Sequence, residues 1–353
     1  MITKMIKVNG NDISEKSAWA GEAAGIIKAG GLVAFPTETV YGLGANGLDE
    51  EAAKKIYAAK GRPSDNPLIL HISEFSEIEN IVKYIPDMAK KLADTFWPGP
   101  MTMVFPKADI VPYGTTGGLD TVAVRCPSHP VARALIKASG VPIAAPSANS
   151  SGRPSPTLAS HVKEDMDGKI EMIIDGGACD VGLESTIVDV TGEVPMILRP
   201  GFITKAMLEE VVGKVEIDPV IVATKPDPNL KPKAPGMKYR HYAPKADMTI
   251  FEGDADAVVA RINMETEKLH AEGKKVGIMC TEETKDLYSG DVIFSVGRRS
   301  SEAEVAHNLF NILREFDESG VDFIFAESFE DESLGMAIMN RLIKAAGYKK
   351  TRV

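Results

Sequence analysis

Apolar and polar positions alternate with two different periods along the chain and predict two blocks of strands and helices. Short apolar runs such as Leu32–Phe35 are typical of buried strands, whereas residues 17–30 repeat apolar side chains at helical spacing and end at Gly30-Gly31. Asp49 is a candidate N-cap for a helix over 49–60. The first block is predicted to contain strands at 32–35, 68–72, 121–125, 143–146, 172–175 and 186–190, a turn and strand within 97–105, and helices at 17–30, 49–60, 75–84, 86–96, 128–139, 157–164 and 204–212.

The second block alternates more regularly than the first. It is predicted to contain strands at 248–251, 275–280, 292–295 and 322–326, and helices at 255–271, 282–287, 302–318 and 333–346. Such alternation is typical of a parallel, doubly wound sheet. The second block has neither a GxGxxG nor a GxxxxGK[ST] sequence, so no standard dinucleotide site or P-loop is predicted there.

The segment between the two blocks is rich in proline and predicts an extended linker. Five prolines lie between positions 219 and 235, and proline is excluded from helix interiors and central strands. We therefore predict a first domain over 1–218, a linker over 219–246 and a second domain over 247–353.

Composition and charge are those of an ordinary globular protein of 353 residues, with 44% hydrophobic and 25% charged residues. The net charge of −10 is unevenly divided: −7 over 1–218, +5 over 219–246 and −8 over 247–353. Three scattered cysteines favour neither a disulfide framework nor a zinc site. With no apolar stretch of membrane-spanning length and no signal peptide in the sequence, we expect a cytoplasmic protein.

Polar loops follow the predicted strands of the first block. They read PTETVYGLG (36–44), KGRPSDNPL (60–68), VAVRCP (122–127), PSANSSGRPSP (146–156), LESTIVD (183–189) and LRPG (198–201). In an open α/β sheet such loops converge on one crevice, which is the usual ligand site. Because the loops supply Lys60 and four arginines rather than a metal cluster or a carboxylate pair, they favour phosphoryl or nucleotidyl transfer over acid–base chemistry.

Lys60 and Arg62 are the strongest candidates for phosphate binding. We expect this segment to be extended, so residues two apart point the same way and both cations face one spot beside the prolines that follow. The alternative is a solvated surface loop. Arg125 lies in an otherwise apolar strand, where a guanidinium is costly unless it meets an anion.

Other polar residues have plain structural interpretations as well. Ser147 and Asn149 can be turn residues that bond to their own backbone. The run Thr37–Thr39 can cap a turn, and His71 can be a core histidine.

Seven segments in order resemble the YrdC-domain threonylcarbamoyl-AMP synthases: FPTETVYGLG, KGRPSDNPL, WPGPMT, AVRCPSHP, PSANSSGRPSPT, ESTIVD and LRPG. The KxR and SxN pair of that family corresponds to Lys60/Arg62 and Ser147/Asn149. PGMKYRHYAP and NRLIKAA resemble the longer members of the family. The resemblance implies an N-terminal YrdC-like, open twisted α/β domain and a smaller C-terminal doubly wound, Rossmann-like α/β/α domain.

The resemblance also implies a reaction in which L-threonine, bicarbonate and ATP give threonylcarbamoyl-AMP and pyrophosphate, used to modify an adenosine of tRNA. Lys60 and Arg62 would be catalytic. The implied threonine residues are Thr39, His71, Arg125, Ala145 and Ser185. The implied ATP residues are Lys60, Arg62, Asn66, Thr121, Ser147, Asn149, Ser155, Arg199 and Tyr242. Mg²⁺ would accompany ATP without a dedicated protein site.

Two alternatives and one refinement accompany this prediction. An RNA-binding module is disfavoured by the acidic first domain, and a carbamoyl-transfer domain acting on another protein is disfavoured by the lack of zinc-finger spacing. Weak contact with tRNA and cooperation with the proteins that transfer the threonylcarbamoyl group stay open. The basic linker, ending in KYRHYAP, is predicted to cover ATP as a lid.

Overall fold

The computed structural model describes residues 2–221, 232–235, 241–330 and 332–353, without the side chain of Asn11. These residues form two compact units. Unit 1 contains residues 2–151, 155–221 and 232–235, and unit 2 contains residues 152–154, 241–330 and 332–353. Most of the predicted linker and its proposed lid lies outside the described residues. No helix within the described ranges is long and apolar enough to cross a membrane.

Unit 1 is a mixed α/β fold, which confirms the predicted class. Its strands are β1 (Lys4–Lys7), β2 (Val33–Phe35), β3 (Gly42–Asn46), β4 (Ile69–His71), β5 (Met101–Pro106), β6 (Thr121–Arg125), β7 (Ile143–Ala144), β8 (Met172–Asp175), β9 (Thr186–Asp189), β10 (Met196–Arg199) and β11 (Glu216–Ile217). Its helices are α1 (Ala18–Lys28), α2 (Glu50–Lys60), α3 (Asp87–Phe96), α4 (Tyr113–Thr116), α5 (Pro130–Ser139), α6 (Ala159–Met166) and α7 (Lys205–Val212).

The strands of unit 1 form one sheet in the order β1-β8-β2-β3-β7-β4-β6-β5-β9-β10-β11. Apolar side chains cover both of its faces. Along β2, Ala34 belongs to one core cluster, whereas Val33 and Phe35 belong to another. A strand that is buried on both faces is apolar at every position, which is why the run Leu32–Phe35 is recognisable in the sequence.

Polar side chains interrupt this core at the centre of the sheet. His71 of β4 lies opposite Arg125 of the parallel strand β6, and Arg125 lies opposite Thr102 of the antiparallel strand β5. Residues that face each other across neighbouring strands point to the same side of a sheet. The three side chains therefore form one polar row inside an apolar sheet.

Unit 2 is a doubly wound sheet with helices, as predicted for the second block. Its strands are β12 (Asp247–Glu252), β13 (Val276–Cys280), β14 (Val292–Ser295), β15 (Phe323–Glu327) and β16 (Lys350–Arg352), and its helices are α8 (Ala255–Ala271), α9 (Glu302–Ser319) and α10 (Gly335–Ala345). The strands pair in parallel in the order β14-β13-β15-β12-β16.

Several elements differ from the sequence prediction. The glycine-rich segment predicted to be a turn contains strand β3, and strands β1, β10, β11 and β16 were not predicted. The helices predicted over 75–84 and 282–287 are only short 3₁₀ segments, Phe75–Asn80 and Lys285–Leu287. The N-cap prediction is confirmed, because the Asp49 side chain accepts hydrogen bonds from the backbone of Glu51 and Ala52.

Candidate active site in unit 1

Arg125 anchors a buried group of polar side chains that comes from the FPTETVYG and AVRCP motifs. Its Nη2 lies 2.7 Å from Oε1 of Glu38, and the two side chains are only 5% and 7% exposed. Its Nη1 donates to Oγ1 of Thr39 at 2.9 Å, and Thr39 in turn contacts Oγ1 of Thr37 at 2.9 Å. The anion that Arg125 requires is thus supplied by the protein itself, a possibility that the sequence argument had not considered.

The ion pair does not satisfy every polar atom of the group. Arg125 and Glu38 are close but poorly aligned for a hydrogen bond, and Nε of Arg125 has no hydrogen-bond partner among the described residues. Buried polar atoms are normally paired in folded proteins. A bound polar ligand would supply the hydrogen-bond partners that these buried atoms lack.

His71 is a neutral neighbour of this group. Its Nδ1 lies 3.2 Å from the Ile69 carbonyl, and its ring meets the Phe35 ring edge-on at 6.3 Å. Burial, and secondarily the charge of Arg125, lowers the pKa of His71 to about 3. His71 therefore shapes the site without carrying charge near neutral pH.

Ser185 joins this group to the LRPG motif. Its hydroxyl lies 2.7 Å from Oγ1 of Thr102, the register partner of Arg125. Arg199 donates from Nη2 to the Ser185 hydroxyl at 3.2 Å and from Nε to the Ser185 carbonyl at 3.0 Å. The predicted residues Thr39, His71, Arg125, Ser185 and Arg199 consequently belong to one connected region of unit 1.

The KxR and SxN motifs are joined through Lys60. The Nζ atom of Lys60 donates to the carbonyls of Ser147 and Asn149, at 2.5 Å in each case. The Ser147 hydroxyl donates to Oδ1 of Asn149 at 2.5 Å. Two motifs that lie far apart in sequence therefore form one structural unit, and Lys60 as a whole is only 4% exposed.

Arg62 is placed differently from the sequence expectation. Lys60 is the last residue of helix α2, and Gly61 ends that helix in the left-handed region with φ of 62°. The segment is therefore not extended, and the argument that residues two apart share a direction was wrong. Nη2 of Arg62 donates to the Pro67 carbonyl at 3.0 Å and to the Asn66 carbonyl at 3.3 Å, which orders the loop that carries Asn66.

The remaining predicted residues are more scattered. Ala145 donates its backbone N–H to the Ile69 carbonyl at 2.9 Å, next to His71. The Ser155 hydroxyl donates to Oε1 of Glu184 at 2.5 Å. Thr121 begins strand β6, at the end opposite Arg125, about 13 Å away by strand geometry.

Two of the residues considered at the sequence level belong to unit 2. Tyr242 is buried there, with its ring centroid 5.0 Å from that of Phe310. Its ATP role stays a prediction. Arg153, one of the four loop arginines, pairs in unit 2 with Asp317 at 3.3 Å.

Glu38 and Glu184 are polar site residues that sequence reasoning missed. Glu38 was interpreted only as a cap, and Glu184 was not singled out. The available signal was Arg125 itself, because a guanidinium predicted to be buried requires a carboxylate or a ligand. Glu38 lies within a stretch, residues 32–45, in which every residue is buried, and that burial is what sequence alone did not reveal.

The chemistry of this region is binding and charge neutralisation. Burial raises the pKa of the Cys126 thiol to about 11 and also raises that of Cys179, so neither thiol provides a nucleophile near neutral pH. Fixed cations, neutral donors and a buried carboxylate can hold an anion and an amino group in defined positions. Such an arrangement suits transfer between bound substrates rather than covalent catalysis.

Comparison with known proteins identifies the family. Residues 25–201 match the family model Sua5_yciO_yrdC, described as "Telomere recombination", and residues 203–347 match "Threonylcarbamoyl-AMP synthase, C-terminal domain". The chain is 53% identical to a threonylcarbamoyl-AMP synthase of Pyrococcus abyssi, over 94% of this chain and 95% of that one. It is 49% identical to the Bacillus subtilis protein of the same name, over 97% of each chain.

A solved structure supports the same assignment. The crystal structure of P. abyssi Sua5 complexed with L-threonine superposes with a TM-score of 0.91 at 50% identity, over 100% of both chains. Because both domain models and full-length relatives agree, this chain belongs to the threonylcarbamoyl-AMP synthase family.

Proposed function

We propose that this protein is an L-threonylcarbamoyladenylate synthase, which converts L-threonine, bicarbonate and ATP into threonylcarbamoyl-AMP and pyrophosphate. Its place in the family and the likeness to a threonine-bound relative support this activity. The structural observation that carries it is the buried pair Arg125–Glu38 with an unsatisfied guanidinium Nε.

The Arg125–Glu38 pair suits an amino-acid zwitterion. We assign the threonine carboxylate to Arg125, whose planar donors match a carboxylate, and the threonine ammonium to Glu38. Thr39 and Ser185 carry hydroxyl groups in the same region and are candidate partners for the threonine hydroxyl. Neutral His71 adds shape to this pocket without a competing charge.

The Lys60 and SxN unit suits the phosphates of ATP. Lys60 carries a fixed ammonium group, and Arg62 orders the loop of Asn66, whose side-chain oxygen is unsatisfied among the described residues. Ser147, Ser155, Arg199 and Thr121 complete the proposed ATP set in unit 1. We assign Lys60 and Arg62 to stabilise charge on the transferring and leaving phosphates.

Mg²⁺ is expected to arrive with ATP. No group of three His, Cys, Asp or Glu side chains in the described ranges could hold a metal ion by itself. Oxygen atoms of phosphate and water would therefore supply most of its ligands. When bound, Mg²⁺ would neutralise phosphate charge.

The reaction balances without a protein nucleophile. The threonine ammonium and bicarbonate give an N-carboxylate, with release of one water molecule and one proton. A carboxylate oxygen then attacks the α-phosphorus, and the bond to the bridging oxygen of pyrophosphate breaks. The site residues would orient the two partners and exclude water that hydrolyses the mixed anhydride.

The test measures pyrophosphate release from ATP by the full-length protein, with threonylcarbamoyl-AMP identified by mass spectrometry. Release should require both threonine and bicarbonate. Arg125→Gln should raise the KM for threonine, whereas Arg261→Gln, which removes a surface ion pair on helix α8, should not. Pyrophosphate release that is independent of threonine would contradict the proposed function.

Further partners follow from this activity. The product is a reactive mixed anhydride, so proteins that transfer the threonylcarbamoyl group to tRNA are expected to consume it. We propose that the protein works in the cytoplasm, where tRNA is found, and that any direct tRNA contact is weak, because both flanking blocks of the sequence are acidic.

A further inference from the structure

Unit 2 contains a crevice to which the proposed reaction assigns no role. Its volume is about 530 Å³, within the range of small-molecule sites. It is lined by residues that follow β12, β14 and β15 and by residues of β16, together with α8 and α10. The crevice therefore lies at the carboxyl edge of the parallel sheet.

The strand order makes this position the usual ligand site of the fold. Strands β12 and β15 are neighbours in the sheet, but the connections that follow them run in opposite directions. The connection after β12 leads to β13 on the β15 side, and the connection after β15 leads to β16 on the β12 side. With right-handed crossovers, α8 and α10 then lie on opposite faces of the sheet. The gap between the two diverging loops is the topological switch point at which open α/β sheets bind ligands.

Four charged side chains of the lining are already paired with one another, in two ion pairs. Glu327 is only 3% exposed and accepts hydrogen bonds from Tyr288 at 2.7 Å and from Arg299 at 2.6 Å. Arg299 also donates to the Ser328 carbonyl at 2.9 Å. Lys350 pairs with Glu252 at 2.9 Å. These pairs leave little charge for a ligand.

Three charged groups stay available to a ligand. Arg352 and Glu330 line the crevice, are exposed, and have neither an ion pair nor a side-chain hydrogen bond among the described residues. Asp254 caps helix α8 through a hydrogen bond to Asp256 N at 3.1 Å, so its carboxylate lies at the helix N-terminus. The available charge is one guanidinium and two carboxylates.

The charges that line the crevice disfavour the binding of a nucleotide. A phosphate would normally bind at the N-terminus of the helix after the first strand, but there the Asp254 carboxylate would repel it. The remaining lining includes apolar side chains of Val258, Met339 and Ile343 and the ring of Phe329. A complementary ligand has a cation, one acidic group and an apolar part.

We propose that this crevice binds a free α-amino acid with an apolar side chain. Arg352 takes the carboxylate, Glu330 and Asp254 face the ammonium, and the apolar wall contacts the side chain. This site is separate from the threonine site proposed in unit 1 and does not depend on it.

The test is calorimetric titration of the full-length protein with L-leucine. N-acetyl-L-leucine lacks the cation and L-leucinamide lacks the carboxylate, so both should bind at least about tenfold more weakly, the effect of losing a charged hydrogen bond. Arg352→Gln and Glu330→Gln should each weaken L-leucine binding by a similar factor, whereas Arg261→Gln on α8 should not. All three variants should keep the wild-type circular dichroism spectrum and melting profile, which shows that the fold is intact.

Arg125→Gln, which disables the proposed threonine site, should leave L-leucine binding unchanged. The proposal is overturned if L-leucine does not bind at millimolar concentration, or if binding survives Arg352→Gln but is lost in Arg125→Gln. It is also overturned if inorganic phosphate or AMP, rather than L-leucine, binds in a manner that requires Arg352. None of these results depends on whether ATP is turned over.

Discussion

Replacing Glu38 by Gln tests the charge logic of the proposed threonine site. The Glu38 carboxylate lies 2.7 Å from Arg125, and both side chains are almost fully buried. Removing one partner of a buried ion pair leaves the other charge uncompensated, which costs about 3–5 kcal/mol. Glu209→Gln is a matched control, because its partner Lys205 is 42% exposed. Such a surface pair is worth at most ~1 kcal/mol.

The expected effect appears first in thermal melting. A domain of this size loses ~2–4 °C for each kcal/mol, so Glu38→Gln should lower the melting temperature of unit 1 by about 6–20 °C. The Glu209→Gln variant should melt within ~4 °C of wild type.

Ligands with and without an ammonium group test the roles of Glu38 and Arg125 separately. L-threonine should stabilise the wild-type protein, whereas 3-hydroxybutyrate, which has the carboxylate and the hydroxyl but no ammonium, should stabilise it little. In Glu38→Gln the order should reverse, because Arg125 then lacks an anion and the ammonium lacks a partner. If Glu38→Gln melts like wild type, or if the two ligands keep the same order in both proteins, the assignment of Glu38 and Arg125 is wrong.

Three further outcomes are expected. Lys60→Met and Arg62→Ala should each lower the rate of pyrophosphate release roughly 10²–10³-fold. Lys54→Met, which changes an exposed lysine on the same helix α2, should not lower it. Wild-type rates in Lys60→Met and Arg62→Ala would exclude the proposed role of these residues in binding phosphate. Serine should be a poor but detectable substrate and valine nearly inactive, because a site that bonds a hydroxyl rejects the analogue without it by up to about 10⁴; similar rates for the two would mean that only shape is recognised. Since the pKa of His71 falls from 6.5 unfolded to about 3 folded, its contribution to stability is complete above pH 6.5 and is lost as the pH falls toward 3. The melting temperature of wild type should therefore decline more steeply with acid than that of His71→Asn, and parallel curves would exclude His71 as the cause.

Helices and strands with a regular spacing of apolar residues were predictable from the sequence. Elements whose conformation depends on contacts with neighbouring elements were not. Strand β6 and helix α8 have the predicted bounds, because their apolar spacing is unambiguous. Strand β3 has the sequence Gly-Leu-Gly-Ala-Asn, which has little intrinsic preference for a strand. It forms because Gly44 lets the backbone approach its neighbours: a Cβ there would be 2.8 Å from the Phe35 ring and 2.9 Å from Ile143.

The candidate site was predictable in its residue types but not in its pairings. Family motifs named Lys60, Ser147 and Asn149, and the structure joins them. The sequence did not reveal that the lysine ammonium is held by two backbone carbonyls, since a carbonyl leaves no mark in the residue type. The predicted direction of the Arg62 side chain was wrong for a similar reason. Gly61 adopts the left-handed conformation, which turns the chain between Lys60 and Arg62.

The short lysine-bearing strand at one edge of the large sheet has a consequence for solubility. Among the described strands, β1 pairs only with β8, so its outer backbone groups could template another chain. It is four residues long, and Lys4 and Lys7 are exposed on it. Lys4 is paired with Glu22 at 2.7 Å, so the charge of Lys7 and the shortness of the strand are what oppose pairing with a second copy. The sheet can therefore be wide without becoming a nucleus for aggregation, and neutralising Lys7 would be expected to weaken that protection while leaving catalysis intact.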